Sequence, residues 1–416
     1  MDLFYLILFF LSFFIVAYKY IRHSTNCGMT TSFVLIVYSF SAFFAIIYYL
    51  LDVFDKVHNL KFLAFVIWWL LFIISLLPLY IYDRQKIKSI KFKKNVLNYC
   101  CIIGLMTSIL PFIEYIMHLD LLMQSADLET SLLDMHDEAE KPILLSNWGQ
   151  LSMKFSNYVY YVVLLSIIPV FQTAHKNIFA VLGIILMIVN RVLPGVILSS
   201  RPMMIQSMIQ LIVVFVLFYP LMDENTRKKS LSFGIKALVI IFSGIIFVTI
   251  YRHLGYIARG SDTTLLYFIS RYVGEGITNF AQYILDIKYY FNGDICFWLF
   301  KDILGLNPIE MSRDLSYALE SKTGYPGNEF YTYIGNFIQD IGIFGTLVFF
   351  TLLSFILCKY FRCNKKYTIK LSTLYIVLIY TTVIIYGTMF YQYSWSTSVA
   401  LKGAFVGWFV LKVTNC

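Results

Sequence analysis

The chain has 416 residues, of which 59% are hydrophobic, 18% aromatic and only 14% charged. Soluble domains carry about 25% charged residues, so a water-soluble fold is excluded. The formal charge of +9 does not point to nucleic acid, because in a membrane protein the distribution of charge matters more than its total.

Apolar runs of about 20 residues, the length a helix needs to cross a bilayer, recur along the chain. They are continuous, without the period-two alternation of barrel strands. The expected fold is therefore all-α, a polytopic membrane protein forming a single transmembrane domain. Eleven spans are predicted at roughly 3–18, 32–51, 62–81, 97–117, 157–172, 178–196, 203–222, 233–250, 341–357, 370–389 and 397–413. The first run lacks a basic leader and a small-residue cleavage site, so it reads as a retained span and not a signal peptide.

The connections after odd-numbered spans are rich in lysine: "KYIRHS", "DRQKIKSIKFKKN", "DENTRKKS" and "CKYFRCNKKYTIK". The alternate connections are lysine-poor: "DVFDKVHN", an acidic segment at 118–156, "LSSRPM", a long segment at 251–340, and "YQYSWS". One orientation satisfies every loop, with the N-terminus outside and the C-terminus inside. The long segment opens with "YRHLGYIARGSD" and continues as the amphipathic "LLYFISRYVGEGITNFAQYILDIKYYF". Its apolar content predicts short helices packed at the membrane face.

Arginine departs from the lysine pattern. Of ten arginines, Arg191, Arg201, Arg252, Arg259, Arg271 and Arg313 fall at or beyond the outer face. Lysine is a solvated point charge, whereas the guanidinium is a rigid fork suited to phosphate or carboxylate oxygens. The group therefore points to an anionic ligand on that side, although each arginine taken singly also fits snorkelling or helix capping. Arg191 precedes a break expected at Pro194-Gly195 inside a span, where an unpaired charge is expensive, so it is expected to line a polar cavity.

His253 follows Arg252 directly. It fits either a helix end satisfied by backbone or a general base, kept neutral by the neighbouring cation. Glu275, between Gly274 and Gly276, is a second candidate base, since glycines let backbone or substrate approach closely. It also fits an ordinary carboxylate in a turn. Glu329 and Asp340 read as caps or catalysts. The stretch "TGYPGNEFYTYIG" supplies Tyr331, Tyr333 and Asn328, groups that stack on and hydrogen-bond sugars but also populate membrane interfaces.

Seven cysteines occur without a C-x-x-C pair, and no H-E-x-x-H or nucleotide-binding loop is present. Neither a disulfide framework, a zinc site nor ATP-driven transport is expected. No cofactor or metal is expected either.

Three elements together resemble the O-antigen polymerases, the oligosaccharide repeat-unit polymerases of the Wzy type. The first is "SSRP" before a long apolar span, and the second is a late outer loop opening with arginines. The third is the loop's exit, "NEFYTYIGNFIQDIGIFGTLVFF", in which Asn328, Thr332, Tyr333, Asp340, Gly342 and Gly345 are similar to the family's re-entry pattern. Arg313 and Gly324 also fit an R-x10-G spacing found in some relatives.

The resemblance implies a GT-C-like, metal-independent glycosyltransferase at the periplasmic face of a bacterial inner membrane. It implies transfer of a growing chain from undecaprenyl diphosphate onto an incoming repeat unit, with a chain-length regulator as a partner. On this reading Arg201 and Arg252 bind the diphosphate, with Arg191, Arg259 and Arg271 supporting. His253 is the leading base and Glu275 the second. Alternatives are an O-antigen ligase with the same donor, a lipid-linked oligosaccharide flippase or transporter, and a membrane acyltransferase.

Overall fold

The computed structural model describes residues 1–23, 29–52, 57–85, 87–119, 144–172, 177–197, 201–258, 264–306, 331–363, 368–389 and 398–414. Its long helices are α1 (Asp2–His23), α2 (Thr30–Leu50), α3 (Phe62–Asp83), α4 (Lys94–Met117), α5 (Asn147–Gln172), α6 (Ile178–Ile197), α7 (Arg201–Phe218) and α8 (Glu224–Ala258). They are followed by α9 (Leu265–Tyr283), the short α10 (Trp298–Ile303), α11 (Tyr333–Tyr360), α12 (Leu371–Tyr386) and α13 (Ser398–Val413). Among the described residues the only sheet is a parallel pair, β1 (Ser89–Lys91) with β2 (Thr368–Lys370).

Each predicted span falls on one helix. Among the described residues nine helices are long and apolar enough to cross a membrane, and α12 is apolar but shorter. The chain is an all-α polytopic membrane protein. Three helices outrun their predicted spans by eight residues or more, α5, α8 and α11, the last starting at Tyr333. α5 begins at Asn147, because its first turns are polar yet helical, and α8 continues to Ala258 past its apolar stretch. The segment expected as a loop from 251 thus begins as helix. Pro194 does not break α6 either, which runs on to Ile197. A proline within one turn of a helix end removes few backbone bonds, and neighbouring helices resatisfy them in a membrane bundle.

The chain divides into two compact units. The first contains α1–α3, α9–α11 and the second part of α12. Its core is aromatic, with Phe13, Tyr38, Trp68 and Phe72 packed ring on ring. Apolar side chains alone give little specificity between helices in lipid, so polar ties do much of the ordering. The buried Asp83 at the end of α3 accepts from the backbone N–H groups of Thr30 (3.3 Å) and Thr31 (2.6 Å). It thereby caps α2 from a different helix and satisfies N–H groups that a helix start leaves open. Tyr38 donates to the carbonyl of Ile384 at 2.8 Å, fixing α12 to α2.

The second unit contains β1, α4–α8, β2, the start of α12 and most of α13. Here small residues let backbones meet. A Cβ at Gly183 would lie 2.1 Å from the Cys101 carbonyl oxygen, so α4 and α6 are in direct main-chain contact. Met204, Ile241 and Val248 form a buried cluster with Val192 and Val196 against it, joining α6, α7 and α8.

Candidate functional site

The described candidates divide between the units, and each group is built by its own helices. In the second unit, the α6–α7–α8 cluster fixes which helix ends lie together. Val196 near the end of α6, Met204 near the start of α7 and Val248 late in α8 share one apolar contact. The turn of α8 carrying Arg252 and His253 is therefore at the same end of the unit as Arg201, the first residue of α7, and Arg191, late in α6. Pro202 stands in the first turn of α7, where its missing N–H costs nothing. The side chains of Arg201 and Arg252 lie outside the described residues, as do Arg259, Arg313, Gly324, Asn328 and Glu329.

Arg191 itself is described. Its guanidinium carbon lies 4.4 Å from the centroid of the Tyr160 ring. Among the described residues it has no ion pair. Glu114, the acid near this end of α4, instead accepts from the backbone and hydroxyl of Ser146 at 3.0 and 2.5 Å. Around the stacked pair the bundle is polar. Tyr160 donates to Gln210 Oε1 at 2.8 Å, the Gln210 amide donates to the Tyr161 oxygen at 3.2 Å, and the Asn190 amide donates to the Ser108 carbonyl at 2.7 Å. Asn190 Oδ1 is buried and has no donor among the described residues. A guanidinium with five N–H donors and no carboxylate partner retains capacity for an anion. His253 is half-buried on α8.

In the first unit, Thr264 starts α9 by accepting from the Tyr267 N–H at 3.2 Å. The helix then packs its apolar face on α2. Gly274 and Gly276 explain how closely: a Cβ at Gly274 would meet Ala45 N at 2.4 Å, and one at Gly276 the Thr388 oxygen at 2.6 Å. What these glycines admit is backbone from the rest of the unit, not substrate. Glu275 between them is driven inside, 1% exposed, and accepts from Arg271 Nε at 2.8 Å. The amphipathic stretch expected to form a short helix does so, and Glu275 lies in its interior, not in a turn. Burial pushes the Tyr267 phenol above its ordinary value, and the Arg271 charge pulls it partway back.

The described residues of the re-entry motif, Thr332, Tyr333, Asp340 and Gly342, all make contacts that hold the fold. Thr332 caps α11 by accepting from Gly335 N–H at 3.3 Å, and it also accepts from Trp68 Nε1 at 3.2 Å. Tyr333 is 3% exposed. Its N–H donates to the Gly387 carbonyl at 2.8 Å, its hydroxyl meets Ser75 Oγ at 2.5 Å, and its ring stacks on Phe350. Tyr331 is buried too. Both tyrosines, which also fit sugar contacts, are buried core residues here, and the N–H and hydroxyl of Tyr333 have protein partners.

Asp340 is likewise committed. Oδ1 accepts from the N–H groups of Gly293 (2.7 Å) and Ile295 (3.3 Å), and Oδ2 from Cys296 (2.8 Å). At Gly342 the chain takes φ +74° and α11 kinks, a conformation that favours glycine. The Gln339 and Asp340 carbonyls accept from Phe291 and Asn292 at 3.1 and 2.8 Å. Asp340, read as a cap or a catalyst, accepts main-chain N–H groups and so clamps the segment before α10 onto this kink.

The residues that sequence reasoning missed are Tyr160, Gln210, Asn190 and Asp83. The visible signal was polar side chains inside apolar runs, Asn190 beside Arg191 most plainly. No group of His, Cys, Asp or Glu among the described residues is arranged to hold a metal ion. No family model, curated protein or solved structure matches the chain.

Proposed function

We propose that the protein is a glycosyltransferase of the bacterial inner membrane that joins undecaprenyl-diphosphate-linked oligosaccharide repeat units into a surface polysaccharide. The observation that carries this reading is the end of the second unit where Arg191, Arg201 and Arg252 come from three helices joined by one apolar cluster. In that end, Arg191 stacks on Tyr160 without a carboxylate partner among the described residues. The charge pattern of the loops orients this end toward the periplasm, where the lipid-linked donor is presented. The motif resemblance supplies the substrate class.

On this reading a hydroxyl oxygen of the incoming unit attacks the anomeric carbon of the growing chain. The carbon–oxygen bond to the diphosphate breaks and the configuration inverts. The arginines neutralise charge as the lipid diphosphate leaves, and the hydroxyl proton passes to a neutral base. His253 is the better-placed base, since it shares an end with the arginines. Glu275 is enclosed and already held by Arg271 in the first unit.

The test is the purified full-length protein in nanodiscs with a synthetic undecaprenyl-diphosphate repeat unit. A ladder of products is expected. Arg201→Lys is expected to abolish it nearly completely while the protein stays at its normal level in membranes, because an ammonium cannot replace a bidentate guanidinium. Single transfer onto a lipid A core without a ladder would make the protein a ligase, and no transfer at all would overturn the reading.

A further inference from the structure

The parallel ladder joins two lysine-rich connections that lie far apart in sequence. β1 and β2 pair with Ser89 opposite Thr368, Ile90 opposite Ile369 and Lys91 opposite Lys370. Side chains alternate across a strand pair. Ile369 is buried on one face, while Lys91 and Lys370 are both exposed on the other. The Ser89 and Thr368 hydroxyls, 3.0 Å apart, share the lysine face.

Like charges directly opposite each other destabilise a strand pair. Neither lysine has an ion pair among the described residues. Neither α4 nor α12 carries an acid in its first turn. Lys88, Lys93 and Lys94 are also exposed on the same connection.

The ladder's position identifies what answers this charge. Lys370 is followed at once by Leu371, the first residue of α12, and Lys91 lies three positions before the start of the membrane-crossing α4. Two apolar helices thus begin within three residues of the ladder, and ammonium groups flanking apolar helices favour the level of lipid phosphates. We propose that the exposed face of this ladder is a binding site for the headgroup of an anionic phospholipid, with Lys91 and Lys370 sharing the phosphate and the Ser89 and Thr368 hydroxyls beside them. The site relieves the repulsion between the paired lysines, so lipid binding and ladder formation support each other. It stands apart from the glycosyl-transfer reading, and its readout is lipid binding alone.

The experiment is native mass spectrometry of the full-length protein in detergent, titrated with phosphatidylglycerol, phosphatidylcholine or inorganic phosphate. Each basic residue at a membrane surface contributes enough that loss of two is expected to weaken binding by about tenfold or more. The wild-type protein is expected to prefer phosphatidylglycerol over phosphatidylcholine by about tenfold. The double variant Lys91→Gln/Lys370→Gln should lose that preference, and Lys91→Arg/Lys370→Arg should keep it. Inorganic phosphate is expected not to displace the lipid at equal concentration. Retention of the preference in the glutamine variant overturns the proposal. Equal displacement by phosphate would reassign the site to a free anion. A wild-type protein with no preference would also overturn it.

Discussion

Arg271 and Glu275 form an ion pair one turn apart on α9, with Nε 2.8 Å from Oε1, in which the carboxylate side chain is 2% exposed and the guanidinium 36%. The pair therefore points outward from a sealed acid. Removing the acid leaves a half-exposed cation that water can still solvate, which moderates the penalty for breaking a buried pair. Glu275→Ala is expected to destabilise the protein by about 2 kcal/mol, read as a lowered midpoint of thermal unfolding in detergent. Glu275→Gln keeps the shape and is expected to cost about 1 kcal/mol, with the proposed polymer formation retained. Loss of all activity in a stably folded Glu275→Gln protein would move the proposed base from His253 to Glu275.

The glycines around this acid predict a contrast between sites. At Gly274 an added methyl meets main-chain atoms of Ala45 and Phe44 at 2.4–2.6 Å, which cannot yield without moving α2. Gly274→Ala is expected to destabilise by about 2–3 kcal/mol. At Gly234 in α8 nothing lies within 4 Å of the added carbon. There alanine has the better helix propensity, and Gly234→Ala is expected to stabilise by about 0.5–1 kcal/mol. Unfolding midpoints of the two variants, measured side by side, should move in opposite directions.

These glycines also mark where sequence reading stops. Long apolar runs announced every helix except α9 and α10, because a lipid-embedded segment must be both helical and greasy. Helix ends were less legible, since "NWGQLSMKFSN" at the start of α5 and "YRHLGYIA" at the end of α8 are polar enough to mimic loops. The glycines beside Glu275 were visible as points of close approach, but not what approaches them. Asp340 was visible as a motif residue, whereas its partners are main-chain N–H groups 44–47 positions away, which carry no side-chain signature. The arginine cluster was legible as an imbalance between arginine and lysine. The stack of Arg191 on Tyr160 was not, because no spacing rule links positions on α5 and α6.

The Asp340 clamp has a pH signature through Cys296. Burial pushes this thiol well above its ordinary value near 9, and the adjacent Asp340 charge pushes it the same way. The folded protein therefore keeps the proton where the unfolded chain releases it. Stability from this group is fully present below about pH 8.5 and declines as pH rises toward the folded value, by up to about 1.4 kcal/mol per pH unit. Cys296→Ala is expected to show a shallower fall between neutral and alkaline pH than the wild type. Asp340→Asn, which turns one acceptor into a donor facing the Cys296 N–H, is expected to cost about 2–3 kcal/mol and to speed alkylation of Cys296.

Arg191 offers the sharpest separation of ligand binding from packing. Its guanidinium has two relations: a stacking contact with Tyr160, and donors without a carboxylate partner among the described residues. Tyr160→Phe keeps the ring and removes only the hydroxyl that Gln210 accepts. It is expected to leave product formation within about threefold of wild type, given the roughly 1 kcal/mol of a neutral hydrogen bond. Tyr160→Leu removes the stacking surface and is expected to lower kcat/KM by about tenfold, because a cation–π contact of this kind contributes about 1–2 kcal/mol to holding the guanidinium in place. Arg191→Lys keeps the charge but loses the planar fork, and is expected to lower kcat/KM by about a hundredfold if the fork carries charge on the departing diphosphate. The order of the three variants is the test. If Arg191 only packs, Tyr160→Leu and Arg191→Lys will cost thermal stability in parallel with activity. If it binds the anion, Arg191→Lys will lose activity with its unfolding midpoint nearly unchanged.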